Sequence, residues 1–335
     1  MPGQAAIETS EARPIGFAVV GYGRIGRRHA ALIGDHPEAA LRAVVDVTAE
    51  LPRGPKGFRS LEAMLADPVA ADVDVVVIAT PNGLHASQAC AALDHGKHVI
   101  IEKPVALHSV DIQTVLERAR QKDRWVFPVL QNRFAPGARW LKELVTTGRL
   151  GAPYLVQVDC FWNRDERYYL PGGWHGTPDL DGGVLYTQFS HFIDLLYWLW
   201  GEPSRVDAQW TGARRPKDTG LIRLAWPGGA VGSVNVTTAA WDRNMDSSIT
   251  IIAEKGSVRV SGQYLEKISY CHVEGLTEIP GAPGVPVASG DHPGHRQMLA
   301  TVIDALRGRP HMAVPPGDAA AVVALIEKMY RLCAE

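Results

Sequence analysis

Along the first 130 residues, runs of apolar and polar residues predict strands that alternate with helices. The runs Ile15–Val20 and His98–Ile101 are short and almost continuously apolar, as expected for strands buried on both faces of a sheet. Strands are predicted at residues 15–20, 41–45, 74–79, 98–101 and 125–130, and helices at residues 25–33, 84–95 and 109–122. This alternation predicts an α/β fold whose first part is a doubly wound parallel sheet.

The pattern changes after residue 132, where strand-like runs follow one another with short, turn-like connections. Helices are predicted at residues 134–147, 187–200, 294–306 and 318–332, and strands at residues 154–161, 206–210, 221–226, 231–236, 248–253 and 257–260. Strands without helices between them indicate antiparallel neighbours. The second part is therefore predicted to be an α+β domain with a large, open, mostly antiparallel sheet.

A glycine motif follows the first predicted strand and opens the first predicted helix. It consists of Gly21, Tyr22, Gly23, Arg24, Ile25 and Gly26. This context is the one that a dinucleotide fingerprint requires. The first glycine permits a tight turn, the second lets the backbone approach a pyrophosphate, and the third allows close packing of helix and strand. The helix N-terminus adds amide donors and the positive end of its dipole.

Asp46 follows the second predicted strand and lies 20 residues after Gly26. That separation is expected of the acid that binds a cofactor ribose, and a carboxylate there repels a 2′-phosphate. We therefore predict NAD as the cofactor. NADP stays possible, because Arg24, Arg27 or Arg28 could reach a 2′-phosphate.

Polar residues stand at the carboxyl ends of the later strands, the edge at which doubly wound sheets bind ligands. The predicted cofactor contacts at this edge, beyond the glycine motif and Asp46, are Thr80, Pro81, Asn82, His85, Glu102, Lys103 and Gln131. The chain divides into a flexible extension over residues 1–13, a dinucleotide-binding domain over residues 14–131, and a second domain over residues 132–335 that is predicted to bind the substrate.

Composition excludes several other classes of protein. The formal net charge of −2 offers no electrostatic footprint for nucleic acid, and no apolar stretch is long enough to span a membrane. Residues 1–13 lack the apolar core of a signal peptide, so we expect a cytoplasmic protein with reduced cysteines. Asp291, His292 and His295 are too loosely spaced to predict a metal site, and no metal is expected.

The chain resembles the Gfo/Idh/MocA family of glucose–fructose oxidoreductases, inositol dehydrogenases and rhizopine-catabolism proteins. The motifs that carry the resemblance are Gly21 to Gly26, Thr80-Pro81-Asn82 with His85, Glu102-Lys103-Pro104, Gln131-Asn132-Arg133, and Gly182-Gly183 followed by His191 and Asp194. The resemblance implies a Rossmann domain before an open antiparallel-sheet domain. It also implies NAD(P)-dependent redox chemistry on sugars or polyols, in homodimers or homotetramers built through the second sheet.

One position departs from the commoner family pattern, in which an aspartate stands four residues before the histidine. Here that position is Thr187, followed by Gln188, and the stretch looks more like relatives that oxidise nucleotide-linked sugars at C3. On a regular helix, Thr187, Gln188 and His191 are predicted to line one face. Thr187 can hydrogen-bond, but it cannot stabilise an imidazolium by charge.

Lys103 and His191 are the leading candidates for the groups that transfer the proton and stabilise the reacting oxygen. Tyr186 is a rival proton donor. A neutral imidazole can accept a hydroxyl proton at roughly neutral pH, and an ammonium can stabilise charge on the reacting oxygen. The long loop over residues 163–181 is rich in aromatic and charged residues, which suits a sugar or an anionic group. Predicted substrate contacts are Lys103, Arg133, Asn163, Arg164, Tyr168, Trp174, Thr187, Gln188 and His191.

These observations predict an NAD-dependent oxidoreductase that exchanges a ring secondary alcohol for a ketone on a sugar or nucleotide-linked sugar. A cyclitol or free-sugar dehydrogenase and a 3-ketosugar reductase are the alternatives among enzymes, because the same site catalyses both directions. A dinucleotide-sensing regulatory protein is the alternative outside enzymes. Lys103 and His191 argue against it, because a sensor does not need proton-transfer groups.

Overall fold

The fold is that of a computed structural model, which describes residues 13–263, 265–277 and 293–332. The chain forms two compact units. The first comprises Met1–Leu130 and His295–Val323, and the second comprises Gln131–Gly294 and Ala324–Glu335. The predicted extension, apart from Arg13, lies outside the described residues, as do Asp291, His292 and Cys333.

The first unit contains a parallel sheet of six strands in the order β3-β2-β1-β4-β5-β6. The strands are β1 Ile15–Val20, β2 Ala39–Val45, β3 Lys56–Phe58, β4 Val75–Ile78, β5 His98–Ile101 and β6 Val126–Pro128. The strand order reverses between β1 and β4, where an open α/β sheet forms its ligand crevice. The predicted doubly wound parallel sheet is confirmed. The short edge strand β3 was not predicted.

Four helices connect these strands: α1 Arg24–Asp35, α2 Leu61–Leu65, α3 His85–Asp94 and α4 Ser109–Lys122. Helix α1 extends two residues beyond the predicted end at residue 33. Ser109 is the first helical residue of α4, and the residue that precedes the helix as its N-cap is His108. Helix α2 was not predicted, because five residues are too few for helical periodicity to show.

The second unit carries the helices α5 Pro136–Thr146, α6 Pro178–Asp181 and α7 Ser190–Trp200. The prediction of one regular helix over residues 187–200 is wrong at its start. A π-helical turn over Leu185–Phe189 precedes α7, and α6 interrupts the predicted loop over residues 163–181. A π-turn changes the direction of its side chains, so Thr187 and His191 are not related by a regular helical turn.

The sheet of the second unit has seven strands in the order β13-β12-β11-β7-β10-β9-β8. They are β7 Pro153–Phe161, β8 Arg205–Thr211, β9 Thr219–Ala225, β10 Val231–Thr237, β11 Asp246–Ala253, β12 Gly256–Ser261 and β13 Lys267–Val273. The β7–β10 pair is parallel and the other pairs are antiparallel, as the prediction of a mostly antiparallel sheet required. Strand β13 was not predicted.

The last two helices are α8 Pro293–Leu306 and α9 Pro316–Arg331. Residues His295–Val323 pack with the first unit rather than continuing the second. The division of the chain into a cofactor domain and a substrate domain stays a functional prediction. The described cysteines, Cys90, Cys160 and Cys271, are free thiols.

Candidate functional site

The glycine motif forms the turn between β1 and α1, and its three glycines have different surroundings. Gly21 has a φ of +88°, and a Cβ on it would lie 2.5 Å from the carbonyl oxygen of Ala79. A Cβ on Gly26 would lie 1.7 Å from the carbonyl oxygen of Gly21. A Cβ on Gly23 would meet nothing within 4 Å. Packing therefore requires glycine at 21 and 26, whereas Gly23 leaves space in front of the N-terminus of α1, as a pyrophosphate needs.

Asp46 follows β2 and is tied to the same turn. Its Oδ2 accepts a hydrogen bond from the backbone N–H of Tyr22 at 2.7 Å, and its Oδ1 accepts from Thr48 and Ala49 at 2.9 and 2.7 Å. Partial burial works to raise the pKa of Asp46, but these three donors outweigh it and hold the pKa below its usual value. The carboxylate is therefore charged at neutral pH, and it is placed to accept ribose hydroxyls.

His85, at the start of α3, connects the segment after β4 with the segment after β5. Its Nε2 lies 2.8 Å from the carbonyl oxygen of Thr80, and its Nδ1 lies 2.7 Å from that of Pro104. Burial lowers the pKa of His85, although both carbonyls work in the opposite direction. A carbonyl oxygen only accepts, so each of the two contacts is a hydrogen bond when the ring nitrogen that faces it carries a proton. His85 thus braces the backbone on both sides of the edge that carries Lys103.

Glu102, at the end of β5, is buried between two histidines of the first unit. Its Oε1 lies 2.8 Å from Nε2 of His29 on α1 and 3.8 Å from Nε2 of His295 on α8. Its Oε2 accepts the backbone N–H of Lys103 at 3.2 Å. Burial alone would raise the pKa of Glu102, but the two histidines hold it well below its usual value. An ionised Glu102 therefore fixes the backbone from which the Lys103 side chain extends.

The three side chains of His29, Glu102 and His295 are ligand types for zinc, and their ligand atoms lie within 4.8 Å of one another. A structural zinc site has four ligands, and its tetrahedral geometry separates ligand atoms by roughly 3.3 Å. Within the part of the chain that the structure describes, the cluster has three such side chains, and the 2.8 Å contact between His29 and Glu102 fits a hydrogen bond better. We interpret the cluster as a buried, hydrogen-bonded carboxylate.

In the second unit, His191 lies on the first turn of α7 and is buried. The side-chain amide of Gln131 donates to Nε2 of His191 at a distance of 3.0 Å. An amide N–H can only donate, so with this amide orientation a neutral imidazole accepts at Nε2 and carries its ring proton on Nδ1. The arrangement presents the imidazole as a base rather than as an acid.

Arg133 was predicted to contact substrate, but its guanidinium is buried and paired with Asp194. Its Nη2 lies 2.6 Å from Oδ1 of Asp194, and its Nε lies 3.1 Å from both carboxylate oxygens. Asp194 is three residues after His191 on α7. The pair therefore anchors α7 next to the segment that carries Gln131.

Thr187 was predicted to contact substrate, and its hydroxyl forms a hydrogen bond with Asp181. Its Oγ1 donates to Oδ1 of Asp181 at 2.5 Å, and Asp181 also accepts the backbone N–H groups of Gly176 and Gly183. Asp181 is a buried carboxylate that the sequence reasoning missed. Its position directly before Gly182-Gly183 was the available signal.

The aromatic residues of the 163–181 loop pack on one another. Tyr168 and Trp174 both contact the ring of His175, with centroid distances of 4.3 and 4.0 Å. The phenol oxygen of Tyr168 accepts a hydrogen bond from Nε2 of Gln188 at 2.9 Å. The loop is thus attached to the π-turn that precedes His191.

Tyr186 is buried and stacks on Tyr330 of α9, with a centroid distance of 5.9 Å. Burial raises the pKa of Tyr186, and the nearby carboxylate of Glu327 adds to this effect. The phenol therefore stays protonated at neutral pH, and Tyr186 stays a candidate proton donor.

Comparison with known proteins places the chain in a family. A model described as an oxidoreductase family with an NAD-binding Rossmann fold matches residues 15–129, and a model of the Gfo/Idh/MocA C-terminal domain matches residues 138–259. The chain belongs to the Gfo/Idh/MocA family. It is an NAD(P)-dependent oxidoreductase with an NAD-binding Rossmann fold. The space at Gly23 and the charged Asp46 fit NAD.

Three relatives illustrate the range of the family. The WlbA dehydrogenase of Bordetella pertussis, solved in complex with NADH and UDP-GlcNAcA, is 34% identical, with a TM-score of 0.85 and 96% of each chain covered. Myo-inositol 2-dehydrogenase of Thermotoga maritima is 26% identical over 260 residues, which cover 72% of this chain and 74% of that protein. An uncharacterized oxidoreductase of Synechocystis is 30% identical over 230 residues, and the match covers 64% of this chain and 60% of that relative.

Among the described residues, no helix is both long enough and apolar enough to cross a bilayer.

Glu102 gives a prediction for stability against pH. A carboxyl whose pKa is lowered by folding stabilises the fold above its unfolded pKa, and this contribution disappears as pH falls through the folded value. Glu102→Gln should therefore cost about 2–4 kcal/mol at pH 7, because it leaves buried histidine N–H groups poorly satisfied. The difference from the unchanged protein should shrink as the pH is lowered below about 4.

Urea unfolding at a series of pH values measures this difference. Glu117→Gln on α4 is the matched control, because Glu117 forms an ion pair with Arg120 on the exposed surface. An exposed pair contributes about 0–1 kcal/mol. Equal losses in the two variants at pH 7 would show that the buried cluster does not hold Glu102 in its charged form.

Proposed function

We propose that the protein catalyses NAD-dependent exchange of a ring secondary alcohol for a ketone, at C3 of a sugar or nucleotide-linked sugar. The observation that carries the proposal is the hydrogen bond from Gln131 to His191. The contact holds a buried imidazole whose Nε2, in the neutral form, can accept the proton that alcohol oxidation releases. The likeness to WlbA, whose structure contains UDP-GlcNAcA, supports a nucleotide-linked sugar.

In this proposal the bound nicotinamide supplies the acceptor or donor for the hydride, and the protein manages the proton. The substrate hydroxyl replaces the amide of Gln131 as the hydrogen-bond partner of His191 Nε2 and passes its proton to that nitrogen. The Arg133–Asp194 pair keeps α7 in place during the transfer. The ammonium group of Lys103 donates to the reacting oxygen and stabilises the charge that develops there.

A cyclitol or free-sugar dehydrogenase is the second candidate, because myo-inositol 2-dehydrogenase of Thermotoga maritima matches 72% of the chain. The deciding experiment measures NADH formation with UDP-GlcNAcA, UDP-GlcNAc, myo-inositol and free glucose. Reduction of the product with borodeuteride, followed by NMR, then identifies the oxidised carbon.

Turnover of a UDP-linked sugar with deuterium at C3 supports the proposal, and turnover of myo-inositol or glucose alone favours the second candidate. The reductase direction is measured with the isolated ketone and NADH. Tight NADH binding without turnover of any substrate would instead favour the sensor.

We further propose that the protein assembles as a homodimer or homotetramer through the seven-stranded sheet. One face of this sheet is buried against its own unit, with side chains such as Ile222 and Ile249 fully covered. Large apolar side chains are exposed on the other face, where the pairing register places Leu155, Leu221, Val231 and Ile252 together. Exposed apolar residues on an open sheet are typical of contacts between subunits.

A further inference from the structure

A polar pocket of about 260 Å³ lies between two loops of the second unit. One loop follows β7 and the other joins β10 to β11. The charged residues of its lining are three arginines and two aspartates, namely Arg164, Arg167, Arg243, Asp165 and Asp242. The ring of Tyr168 also borders the pocket. Three guanidinium groups against two carboxylates leave a net positive charge on the lining.

The guanidinium group of Arg164 is held in a defined orientation. Its central carbon lies 4.9 Å from the ring centroid of Trp162 and 5.1 Å from that of Tyr168. Its Nη1 also donates to the side-chain oxygen of Asn244 at 3.2 Å. Such stacking reduces the entropy lost when a guanidinium group binds a ligand.

The other two arginines differ in their surroundings: Arg167 forms hydrogen bonds within the protein, and Arg243 is exposed. Arg167 donates to Asp165, with 2.6 Å between Nη2 and Oδ2, and to the carbonyl oxygen of Asp242 at 2.7 Å. Arg243 has an exposed side chain at the opposite wall. Arginine pairs well with carboxylate or phosphate oxygens because its planar donors match their geometry. The pocket therefore favours an oxyanion over an uncharged hydroxyl group.

Tyr168 connects this pocket to the segment that carries His191. Its ring borders the pocket and contacts Arg164, whereas its hydroxyl accepts the hydrogen bond from Gln188. Gln188 lies three residues before His191. A ligand bound along Tyr168 would therefore extend from the segment that carries His191 to the arginines of the pocket.

We propose that this pocket binds the anionic group of the substrate, a phosphate of a nucleotide or the carboxylate of a uronic acid, outside the ring that is oxidised. The proposal rests on the proposed function, because it assigns one part of the same substrate. It makes Arg164 and Arg243 determinants of specificity for charged over uncharged sugars.

Calorimetric titration of the NADH complex with UDP and, separately, with D-glucuronate tests the pocket directly. A lost charge-assisted hydrogen bond lowers affinity by about 10- to 100-fold, with the lower end expected at an exposed side chain. We expect Arg164→Gln and Arg243→Gln each to lower the affinity for the probe that binds by this factor. Arg149→Gln, at an exposed arginine of the same unit outside the pocket, should leave affinity unchanged.

The two probes distinguish the source of the anion, since UDP carries phosphates and glucuronate a carboxylate. Failure of both probes to bind the unchanged protein overturns the proposal, as does unchanged affinity in both pocket variants. Arg243→Gln keeps the test valid if Arg164→Gln does not fold, because the Arg243 side chain is exposed.

Kinetics separate this proposal from the proposed function. If a UDP-linked sugar is oxidised and its KM is unchanged in both variants, the pocket assignment is wrong and the function stands. If UDP affinity depends on the arginines but no sugar is oxidised, the pocket stands and the function is wrong. An increase in KM for the charged sugar alone, with kcat retained, supports both.

Discussion

Replacing His191 by asparagine should lower kcat/KM for alcohol oxidation by about 10²- to 10⁴-fold, the usual contribution of a general base. The reason is the lone pair that a neutral imidazole offers at Nε2, the ring nitrogen that faces the side-chain amide of Gln131. Acid protonates this nitrogen in the unchanged enzyme, so oxidation should fail as the pH falls. The variant has no imidazole to protonate, and its pH profile should lose that acidic limb while its plateau drops.

The measurement is kcat/KM over a pH series with the substrate found in the sugar panel. Tyr186→Phe is the matched control, because the Tyr186 ring stacks on Tyr330 and keeps that contact without its hydroxyl. We expect the control to retain the acidic limb and most of the rate. If His191→Asn keeps the limb, another group accepts the proton.

Replacing Lys103 by methionine should lower kcat by about 10²- to 10³-fold, as expected when a donor to a developing oxyanion is removed. Methionine keeps much of the apolar stem and removes the ammonium group. The backbone of Lys103 is held by Glu102 and would remain so, because that contact uses the N–H rather than the side chain. Affinity for NADH should therefore change far less than kcat.

Steady-state kcat and a fluorescence titration with NADH measure the two quantities separately. Lys122→Met at the exposed end of α4 is the control for loss of a lysine charge from the first unit. Parallel losses of kcat and NADH affinity in Lys103→Met would assign Lys103 to cofactor binding. Unchanged turnover would exclude it from the chemistry altogether.

The sheet of the first unit could be predicted strand by strand where its strands are buried on both faces. The bounds of β1 and β5 match the predicted runs, because a buried parallel strand is apolar throughout and ends where polar residues begin. Strand β3 escaped prediction, since Lys56-Gly57-Phe58 is too short and too mixed to show a period. The glycine motif was predictable because turn geometry depends on residues adjacent in the chain.

The π-turn before α7 was not predictable from the same reasoning. Residues 185–200 are apolar on nearly every side, so their pattern favours a regular helix and gives no sign of a wider turn. The contact between Thr187 and Asp181 lies at this turn, across the glycine pair at 182 and 183. The expected common face of Thr187, Gln188 and His191 failed for that reason.

The sequence by itself determined the order of the longer strands and helices, the position of the dinucleotide turn, and Lys103 and His191 as the candidate residues. Only the tertiary structure decided their partners. His29 and His295 reach Glu102 from distant helices, and Gln131 reaches His191 across 60 residues. Local patterns specify strands, helices and turns because these depend on neighbouring residues. The pairing of buried polar groups depends on which side chains packing brings within hydrogen-bond distance, and no local period encodes it.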